Sequence, residues 1–226
     1  MLRFTSYSHH RAESLIRHKQ GGQLWRELLE VYGHLPLPRW PLKSDANPKL
    51  EILQPLIRRY LEITLDEIYG WTGQFDVTGS ARHRINFFRD FHGLKICKQI
   101  QFGNWACRAS DFEKFRIAHA RGLLDVAVCV MMKETAAVRM DSGVVTYERA
   151  VADLKEFGPA VYPFPILLIG IEDSPSRPSP DISEWGYPNV KTVTGKKEDD
   201  SKDDVARSLW ADYAFPEIVK FKKSLR

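Results

Sequence analysis

Asp90-Phe-His-Gly-Leu-Lys-Ile-Cys-Lys-Gln-Ile-Gln-Phe-Gly-Asn104 is the most informative segment of this 226-residue chain. Within it and just before it, apolar residues recur at the spacing of β-strands, and the dipeptide His92-Gly93 between two such runs is typical of a turn. The apolar positions are Ile85, Phe87, Leu94, Ile96, Ile100 and Phe102. This pattern predicts a hairpin, or two adjacent strands, over residues 84–102.

The segments on either side predict helices and buried strands. Residues 53–68 carry apolar side chains at intervals of three and four, which is typical of an amphipathic helix, and Gly73 follows in a turn-like stretch. Ser110 is a candidate N-cap for a second helix. Further along, the sequence predicts strands at Leu123–Met132 and Pro163–Ile171, with a helix at Tyr147–Phe157 between them. This order predicts an α/β fold with a mixed central β-sheet flanked by helices.

The length of the chain suits one domain, so residues 1–226 are predicted to form a single domain. Residues 173–204 are rich in Pro, Ser, Lys and Asp, and this composition predicts a mobile surface excursion. A last helix is predicted over Val205–Lys223.

Composition limits the possible classes of protein. Hydrophobic residues make up 43% of the chain, and no apolar run is long enough to cross a bilayer. The start of the chain lacks the apolar region of a signal peptide, which favours a cytoplasmic protein with no membrane partner. The three cysteines are too few and too scattered for a disulfide framework or a zinc site. The formal net charge of +4 is a weak indication of a polyanionic partner.

Three polar residues of the predicted hairpin could form a site for a cation and a water molecule. Asp90 stands near the end of the first strand, while Gln99 and Gln101 are two positions apart on the second strand and so share one face. Hydrolysis of a phosphodiester needs a hard cation with oxygen ligands and a positioned water molecule. The pattern alone favours a simpler alternative, an edge strand whose amide side chains lie in solvent.

The sequence also resembles a known family. Lys98-Gln-Ile-Gln-Phe-Gly-Asn104 is similar to the Glu-Val-Gln-Phe-(Gly/Ser) strand of the BglII/BstYI-like type II restriction endonucleases. Asp90 lies at the separation at which that family places its metal-binding aspartate. Further matches follow in the same order, from about residue 7 to residue 172. They include Tyr7-Ser-His9, Gly70-Trp71, Met140-Asp-Ser-Gly-Val144, Tyr147-Glu148 and Pro165–Ile171.

The resemblance implies a fold, a cofactor and a partner. The fold would be the core of the PD-(D/E)XK nucleases, acting as a homodimer that clamps double-stranded DNA at a short palindromic site with a GATC centre. Each protomer would hold a Mg²⁺-dependent catalytic site made of Asp90, Gln99 and Gln101. Asp90, Gln99 and the backbone carbonyl of Ile100 would bind the metal, and Gln101 would be a polar partner of the attacking water molecule.

The same resemblance places a second group of residues on DNA. The loop Arg139-Met-Asp-Ser-Gly143 corresponds to the family's loop that approaches base edges in the major groove. Asp141 could accept a hydrogen bond from cytosine or adenine, Ser142 could donate or accept, and Arg139 could reach a phosphate or guanine. Asn104, just after the strand, is a further DNA-binding candidate. Without the resemblance, both segments would be interpreted as ordinary turns.

The chain departs from the family pattern at Gln99, where the family has a glutamate. An amide oxygen can contact Mg²⁺ but brings no negative charge, so the metal would be held weakly. Either the chain is naturally compromised, or it was altered to bind DNA without cleaving it. If cleavage is fast, another carboxylate, such as Asp76, Asp111 or Glu113, must supply the missing charge.

Three hypotheses for the function follow. The first is a type II site-specific deoxyribonuclease whose Mg²⁺-dependent cleavage is impaired by Gln99. The alternative is a non-cleaving, sequence-specific DNA-binding protein of the same fold. The third is a nuclease-like fold with an unrelated partner. Cleavage of plasmid DNA separates the first from the second, and salt-dependent binding to duplex DNA separates both from the third.

Overall fold

The computed structural model describes residues 4–79, 83–173, 179–195 and 200–213. Within these ranges, six strands form one mixed sheet in the spatial order β1-β6-β5-β4-β3-β2. The strands are β1 (Phe4–His9), β2 (Thr72–Asp76), β3 (Arg84–Phe91), β4 (Leu94–Gln101), β5 (Val126–Met132) and β6 (Ile166–Ile171). The inner strands β4, β5 and β6 are parallel, while β1, β2 and β3 join antiparallel. The predicted α/β fold with a mixed central sheet is confirmed.

Helices cover both faces of this sheet. They are α1 (Ala12–His18), α2 (Gln23–Gly33), α3 (Gln54–Glu62), α4 (Trp105–Ala120), α5 (Glu134–Ala137), α6 (Tyr147–Glu156), α7 (Gly158–Val161), α8 (Val190–Thr194) and α9 (Asp200–Tyr213). A π-helical turn, Ile63–Ile68, continues α3, and short 3₁₀ segments occupy Lys19–Gly22 and Ile182–Trp185. None of the helices in the described ranges combines the length and apolar character that crossing a membrane would require.

The central strand β5 explains why both faces must be covered. All seven of its residues are buried, and alternate side chains enter two different hydrophobic clusters. Val128 and its alternate neighbours pack with α1, α2, α3 and the chain beyond β6, whereas Cys129 and its neighbours pack with α4 and α6. A parallel strand of this kind is a continuous apolar run with helices on both sides.

The predicted hairpin is confirmed, and its turn fixes the pairing of the two strands. His92 and Gly93 have φ angles of 52° and 80°, the left-handed conformation that a two-residue type I′ turn requires at both positions. Phe91 therefore pairs with Leu94, and Asp90 pairs with Lys95. The same register continues along the strands to the pair Phe87–Lys98.

Two predictions of local structure were wrong. Ser110 lies inside α4, which already begins at Trp105, because the chain enters this helix soon after β4 ends. The stretch around Gly73 was predicted to be turn-like, but residues 72–76 form the edge strand β2, which pairs with β3. Pairing with an existing strand can override a weak local preference.

The stretch predicted as a surface excursion, residues 173–204, contributes to the core where it is described. Arg39 exchanges backbone hydrogen bonds with this segment, accepting from the Ile182 N–H at 2.8 Å. The side chains of Ile182 and Val193 are fully buried in the cluster on the α3 side. These residues therefore belong to the folded core rather than to an excursion. Residues 174–178, 196–199 and 214–226 lie outside the described part of the chain.

The approach of α6 to β6 depends on a glycine. A Cβ atom added at Gly170 would lie 2.5 Å from the ring of Tyr147, closer than real Cβ contacts come. The absent side chain lets the first turn of α6 pack directly on the sheet. That packing holds the loop that precedes α6 in place.

A lysine is buried on the face of β4 that packs against α2 and α3. Lys98 is fully buried, and among the described residues its Nζ has no hydrogen-bond partner. The Nζ atom lies 3.6 Å from the centre of the Trp71 ring, a cation–π arrangement. Trp71 in turn donates from Nε1 to Glu27 at 2.6 Å, and Glu27 also accepts from Arg89 at 2.5 Å.

Candidate functional site

The regular pairing of β3 and β4 stops beyond Phe87, at the position that brings Asn86 opposite Gln99. There the Asn86 N–H donates to the side-chain Oε1 of Gln99 at 3.0 Å, and the Ile100 N–H donates to Oδ1 of Asn86 at 2.8 Å. Side-chain amides thus replace the backbone partners of the ladder. On the other side of Asn86, the β2 residue Gln74 has a left-handed φ of 53°. The sheet is therefore irregular on both sides of Asn86.

A buried polar cluster lies next to this break. Asp111, on α4, accepts from Nε2 of Gln99 at 2.9 Å and from Nε2 of Gln101 at 2.6 Å. Lys114, one turn further along α4, donates to the same carboxylate at 2.8 Å. Gln99, Gln101 and Asp111 are only 7%, 5% and 5% exposed, so the edge-strand alternative with amides in solvent does not describe them.

Burial raises the pKa of Asp111 above its ordinary value, because a low-dielectric environment disfavours the charged carboxylate. Hydrogen bonds from Lys114 and Gln99 and the charge of Arg58 oppose this effect. Both carboxylate oxygens already accept hydrogen bonds, and Lys114 supplies a compensating positive charge. The cluster is thus a paired, internally satisfied network.

A cavity of about 220 Å³ opens on the other side of the break, between α3 and the edge of the sheet. Its walls include the side chains of Arg58 and Glu62 from α3, Gln74 from β2, Asn86 from β3 and Ile100 from β4. Asn86 forms part of the cavity wall and its N–H donates to Gln99 of the cluster, so the cavity and the buried cluster share a boundary. The two together form the candidate functional site.

The structure does not bring Asp90 to this site. Asp90 pairs with Lys95 at the turn of the hairpin, and its Oδ1 accepts from the Gly93 N–H at 2.7 Å. Gln99 lies four residues beyond Lys95, a separation of about 13 Å along a strand. The expectation that Asp90 and Gln99 lie close together is therefore wrong, and the residue that faces Gln99 is Asn86.

The predicted DNA-binding residues Asn104, Asp141 and Ser142 do come together. Asn104 forms a β-bridge with Val144, directly after the loop that contains Asp141 and Ser142. All three side chains are exposed, and the Ser142 N–H is held by Oδ1 of Asp141 at 2.7 Å. The Gly103 N–H donates to Oε1 of Gln101 at 2.9 Å, so this exposed loop is joined to the buried cluster through one residue.

Arg139, the fourth predicted DNA contact, has a different environment. Its guanidinium forms ion pairs with Glu51, at 2.5 Å, and with Asp173. Its backbone carbonyl also accepts from the N–H groups of Glu51 and Ile52. Arg139 thus ties the start of the loop to the segment before α3, and its charge is already compensated.

Comparison with known proteins gives the family. The family model described as restriction endonuclease BglII/BglIII matches residues 4–171. The chain belongs to the BglII/BglIII restriction endonuclease family. No curated protein matches the sequence. The family assignment therefore rests on a match that includes the whole sheet.

Solved structures of BglII have the same fold. The crystal structure of restriction endonuclease BglII complexed with a DNA 16-mer has a TM-score of 0.64 and 17% identity, over 76% of this chain and 79% of that chain. The structure of free BglII has a TM-score of 0.56 and 17% identity, over 76% of this chain and 81% of that chain. The predicted restriction-endonuclease-like core is confirmed.

Restriction endonucleases of the BglII/BglIII family generally use a divalent metal ion. The residues at this site do not fit such an ion. The break and the buried cluster offer the neutral amides of Asn86, Gln99 and Gln101 and the carboxylate of Asp111, which already accepts from amide and lysine donors. Of the two carboxylates that line the cavity, Glu62 is paired with Arg58 and Arg59, and Asp66 is exposed. Among the described residues, no group of three or more His, Cys, Asp or Glu could hold a metal ion.

Asn86 was not predicted as the residue opposite Gln99, although the sequence contained the signal. Once His92-Gly93 is recognised as a two-residue turn, counting outward pairs Asp90 with Lys95 and Asn86 with Gln99. Asp111 appeared only as one of several replacement carboxylates. Nothing in its local sequence indicates that α4 would place it against both glutamines.

Proposed function

We propose that this member of the BglII/BglIII family binds double-stranded DNA at a short palindromic site and cleaves it very slowly or not at all. The observation that carries the proposal is the pairing of Asn86 with Gln99, beside Gln101, in place of a carboxylate site. The palindrome with a GATC centre belongs to the same proposal, and it rests on the family resemblance.

The charge at the site explains the expected loss of cleavage. Hydrolysis of a phosphodiester passes through a state with added negative charge, which Mg²⁺ stabilises when carboxylates hold the ion in place. Amides at Asn86 and Gln99 provide oxygen atoms but no charge. A missing unit charge at close range in a partly dry site is worth about 3–4 kcal/mol, which corresponds to a rate loss of about a hundredfold to a thousandfold.

Recognition of DNA is assigned to the exposed loop that follows the site. Asn104, Asp141 and Ser142 present polar groups on one edge of the fold, and short side chains of this kind can hydrogen-bond to base edges. Their connection to the buried cluster through Gly103 would couple the position of the bases to the position of the scissile phosphate. Arg139 supports this loop instead of contacting the bases.

We also propose that the chain acts as a homodimer. A palindromic site is read by two copies related by the twofold symmetry of the DNA. Measurement of the molar mass at micromolar concentration, with and without a palindromic duplex, tests this. A mass of one chain in both conditions contradicts the proposal.

A second hypothesis is a protein that only binds DNA. The engagement of both Asp111 oxygens favours it, since three of about four acceptor positions of this carboxylate are already used by Gln99, Gln101 and Lys114. A plasmid cleavage time course with the chain as it stands separates the two. Slow Mg²⁺-dependent nicking indicates a weakened endonuclease, whereas binding to the duplex without any nicking indicates a binding protein.

The decisive experiment rebuilds the carboxylates. Gln99→Glu and the double variant Asn86→Asp/Gln99→Glu are compared with the original chain in Mg²⁺ and in Ca²⁺. We expect the double variant to cut DNA with Mg²⁺ but not with Ca²⁺. Adding Asp90→Asn to the double variant should change nothing, because Asp90 lies at the hairpin turn. Loss of cleavage on adding Asp90→Asn would instead identify Asp90 as the metal ligand.

A readout other than activity comes from stability. Gln99→Glu places a carboxylate about 3 Å from that of Asp111, and the single positive charge of Lys114 compensates only one of the two groups, so they repel each other. The variant should therefore melt lower than the original chain in EDTA, and Mg²⁺ should restore part of the loss. If the original chain cuts rapidly and Gln99→Glu changes neither cleavage nor the response to Mg²⁺, the assignment is wrong.

A further inference from the structure

The cavity beside the broken ladder contains two hydrogen-bond donors that the proposed function has not used. Arg58 forms part of the α3 wall, and Gln74 forms part of the β2 wall. Between them lie Asn86 and Ile100, the residues at which the ladder fails. Both donors lie in the cavity part of the candidate site, so they are available to one ligand bound there.

The two neighbouring arginines of α3 differ in their contacts. Arg59 makes a two-pronged ion pair with Asp203, with both N–O distances at 2.7 Å, and a weaker contact with Glu62 at 3.4 Å. Arg58, whose side chain is 48% exposed, makes one hydrogen bond among the described residues, from Nε to Glu62 at 3.2 Å. The two terminal nitrogens of Arg58 are therefore available as donors, whereas the guanidinium group of Arg59 is already used in its ion pair with Asp203.

Gln74 occupies a strained backbone position. It is a non-glycine residue inside a β-strand with a φ of 53°, in the left-handed region that disfavours residues with a Cβ atom. Its side chain is exposed and lines the cavity. A glycine would fit this backbone more easily, so a side chain here has a cost for folding. Such strain is maintained where a side chain has a role in binding or chemistry.

The negative groups around the cavity do not exclude an anion. Glu62 is paired with both arginines, so its charge is compensated. Asp66 also lines the cavity, but it is exposed and its charge is screened by water and salt. The positive charge of Arg58 also makes a small contribution that lowers the pKa of Asp111, against the larger effect of burial.

We propose that Arg58 and Gln74 bind one phosphate of the DNA backbone at the mouth of this cavity. A guanidinium group matches phosphate oxygens in geometry and charge, and the amide of Gln74 adds a neutral donor from the opposite wall. This inference rests on the proposed function. It also predicts that binding to duplex DNA persists in EDTA, since a side chain of the protein supplies the positive charge.

The test is fluorescence anisotropy with a labelled palindromic duplex containing a central GATC, titrated in EDTA at several salt concentrations. Arg58→Gln should weaken binding about tenfold and reduce the slope of log Kd against log salt by about 1, because the variant neutralises one phosphate fewer. Arg17→Gln is the matched control, because Arg17 has the same i,i+4 pair with a glutamate and a side-chain exposure of 49%. The control should bind like the original chain.

Gln74→Gly separates a binding role from a structural one. Removing the strained side chain should keep or raise the urea midpoint while weakening DNA binding about threefold to tenfold, with the salt slope unchanged because the net charge stays the same. Unchanged binding by Gln74→Gly or by Arg58→Gln overturns the inference. If the original chain itself does not bind the duplex, the proposed function fails, and that result is visible without any variant.

Discussion

Replacing Lys98 with methionine should stabilise the protein by an amount that depends on pH. The ammonium group of Lys98 is fully buried against Trp71. Burial lowers the pKa of Lys98 from its ordinary value of 10.5 to about 7, although the charge of Glu27 opposes the change. The folded protein therefore holds this proton less tightly than the unfolded chain does.

The sign and the size follow from this difference. Between about pH 7 and 10.5 the unfolded chain keeps a proton that the folded protein has released, so the free energy of unfolding rises with pH across this window. At about 1.4 kcal/mol per pH unit, the whole window corresponds to about 5 kcal/mol. Below about pH 7, Lys98 is charged in both the folded and the unfolded state. The free-energy cost of burying the ammonium group then lowers the stability of the folded protein by its full amount.

Methionine has a similar length and no charge. Lys98→Met should therefore raise the free energy of unfolding by about 3–5 kcal/mol near pH 6 and by little near pH 10. The lower part of this range allows for the removal of the cation–π interaction with Trp71. The effect concerns folding only, since Lys98 points away from the face of Gln99 and Gln101.

The assay is urea unfolding from about pH 6 to about pH 10, with the difference between variant and original chain plotted against pH. The difference cancels the contribution of titrating groups that do not interact with Lys98. Lys155→Met is the control, because Lys155 is an exposed lysine. A flat difference curve for Lys98→Met, or a variant less stable than the original chain near pH 6, would refute the reasoning.

Three further predictions concern the site and its loop. Asp111→Asn should lower the free energy of unfolding by about 3–5 kcal/mol, since it leaves Lys114 without its charged partner, and Asp111→Asn/Lys114→Met should recover part of this loss when the original chain, the two single variants and the double variant are compared in a double-mutant cycle by urea unfolding. Asp141→Ala should weaken binding to the palindromic duplex by about 1–3 kcal/mol in anisotropy titrations, and an equal loss on a scrambled duplex would mean that the loop is only structural. Arg139→Ala should lower the urea midpoint by breaking its pair with Glu51, while the ratio of specific to scrambled binding stays the same; a change in that ratio would restore Arg139 as a base contact.

Features that depend on neighbouring residues could be predicted from the sequence. The dipeptide His92-Gly93 favours a two-residue turn, and such a turn fixes the register of both strands. The apolar runs of β5 and β6 indicated buried strands, and the residues around Gln99 indicated the family. The register of the hairpin also predicts the pairing of Asn86 with Gln99, although the spacing of the family's metal-binding residues indicated Asp90.

Contacts between groups far apart in the chain could not be predicted from local patterns, because they depend on how the helices and strands pack. Asp111 reaches Gln99 and Gln101 because α4 packs across the face of β4 on which these glutamines lie. Ile182 is buried because the chain returns to pair with Arg39, against the polar composition of its segment. A local pattern sets backbone preference and the direction of a side chain, but burial and pairing depend on interactions between residues far apart in the chain. Because of such interactions, the amides of Gln99 and Gln101 lie in a buried network beside a cavity, although the pattern of the strand alone predicts that they are solvated.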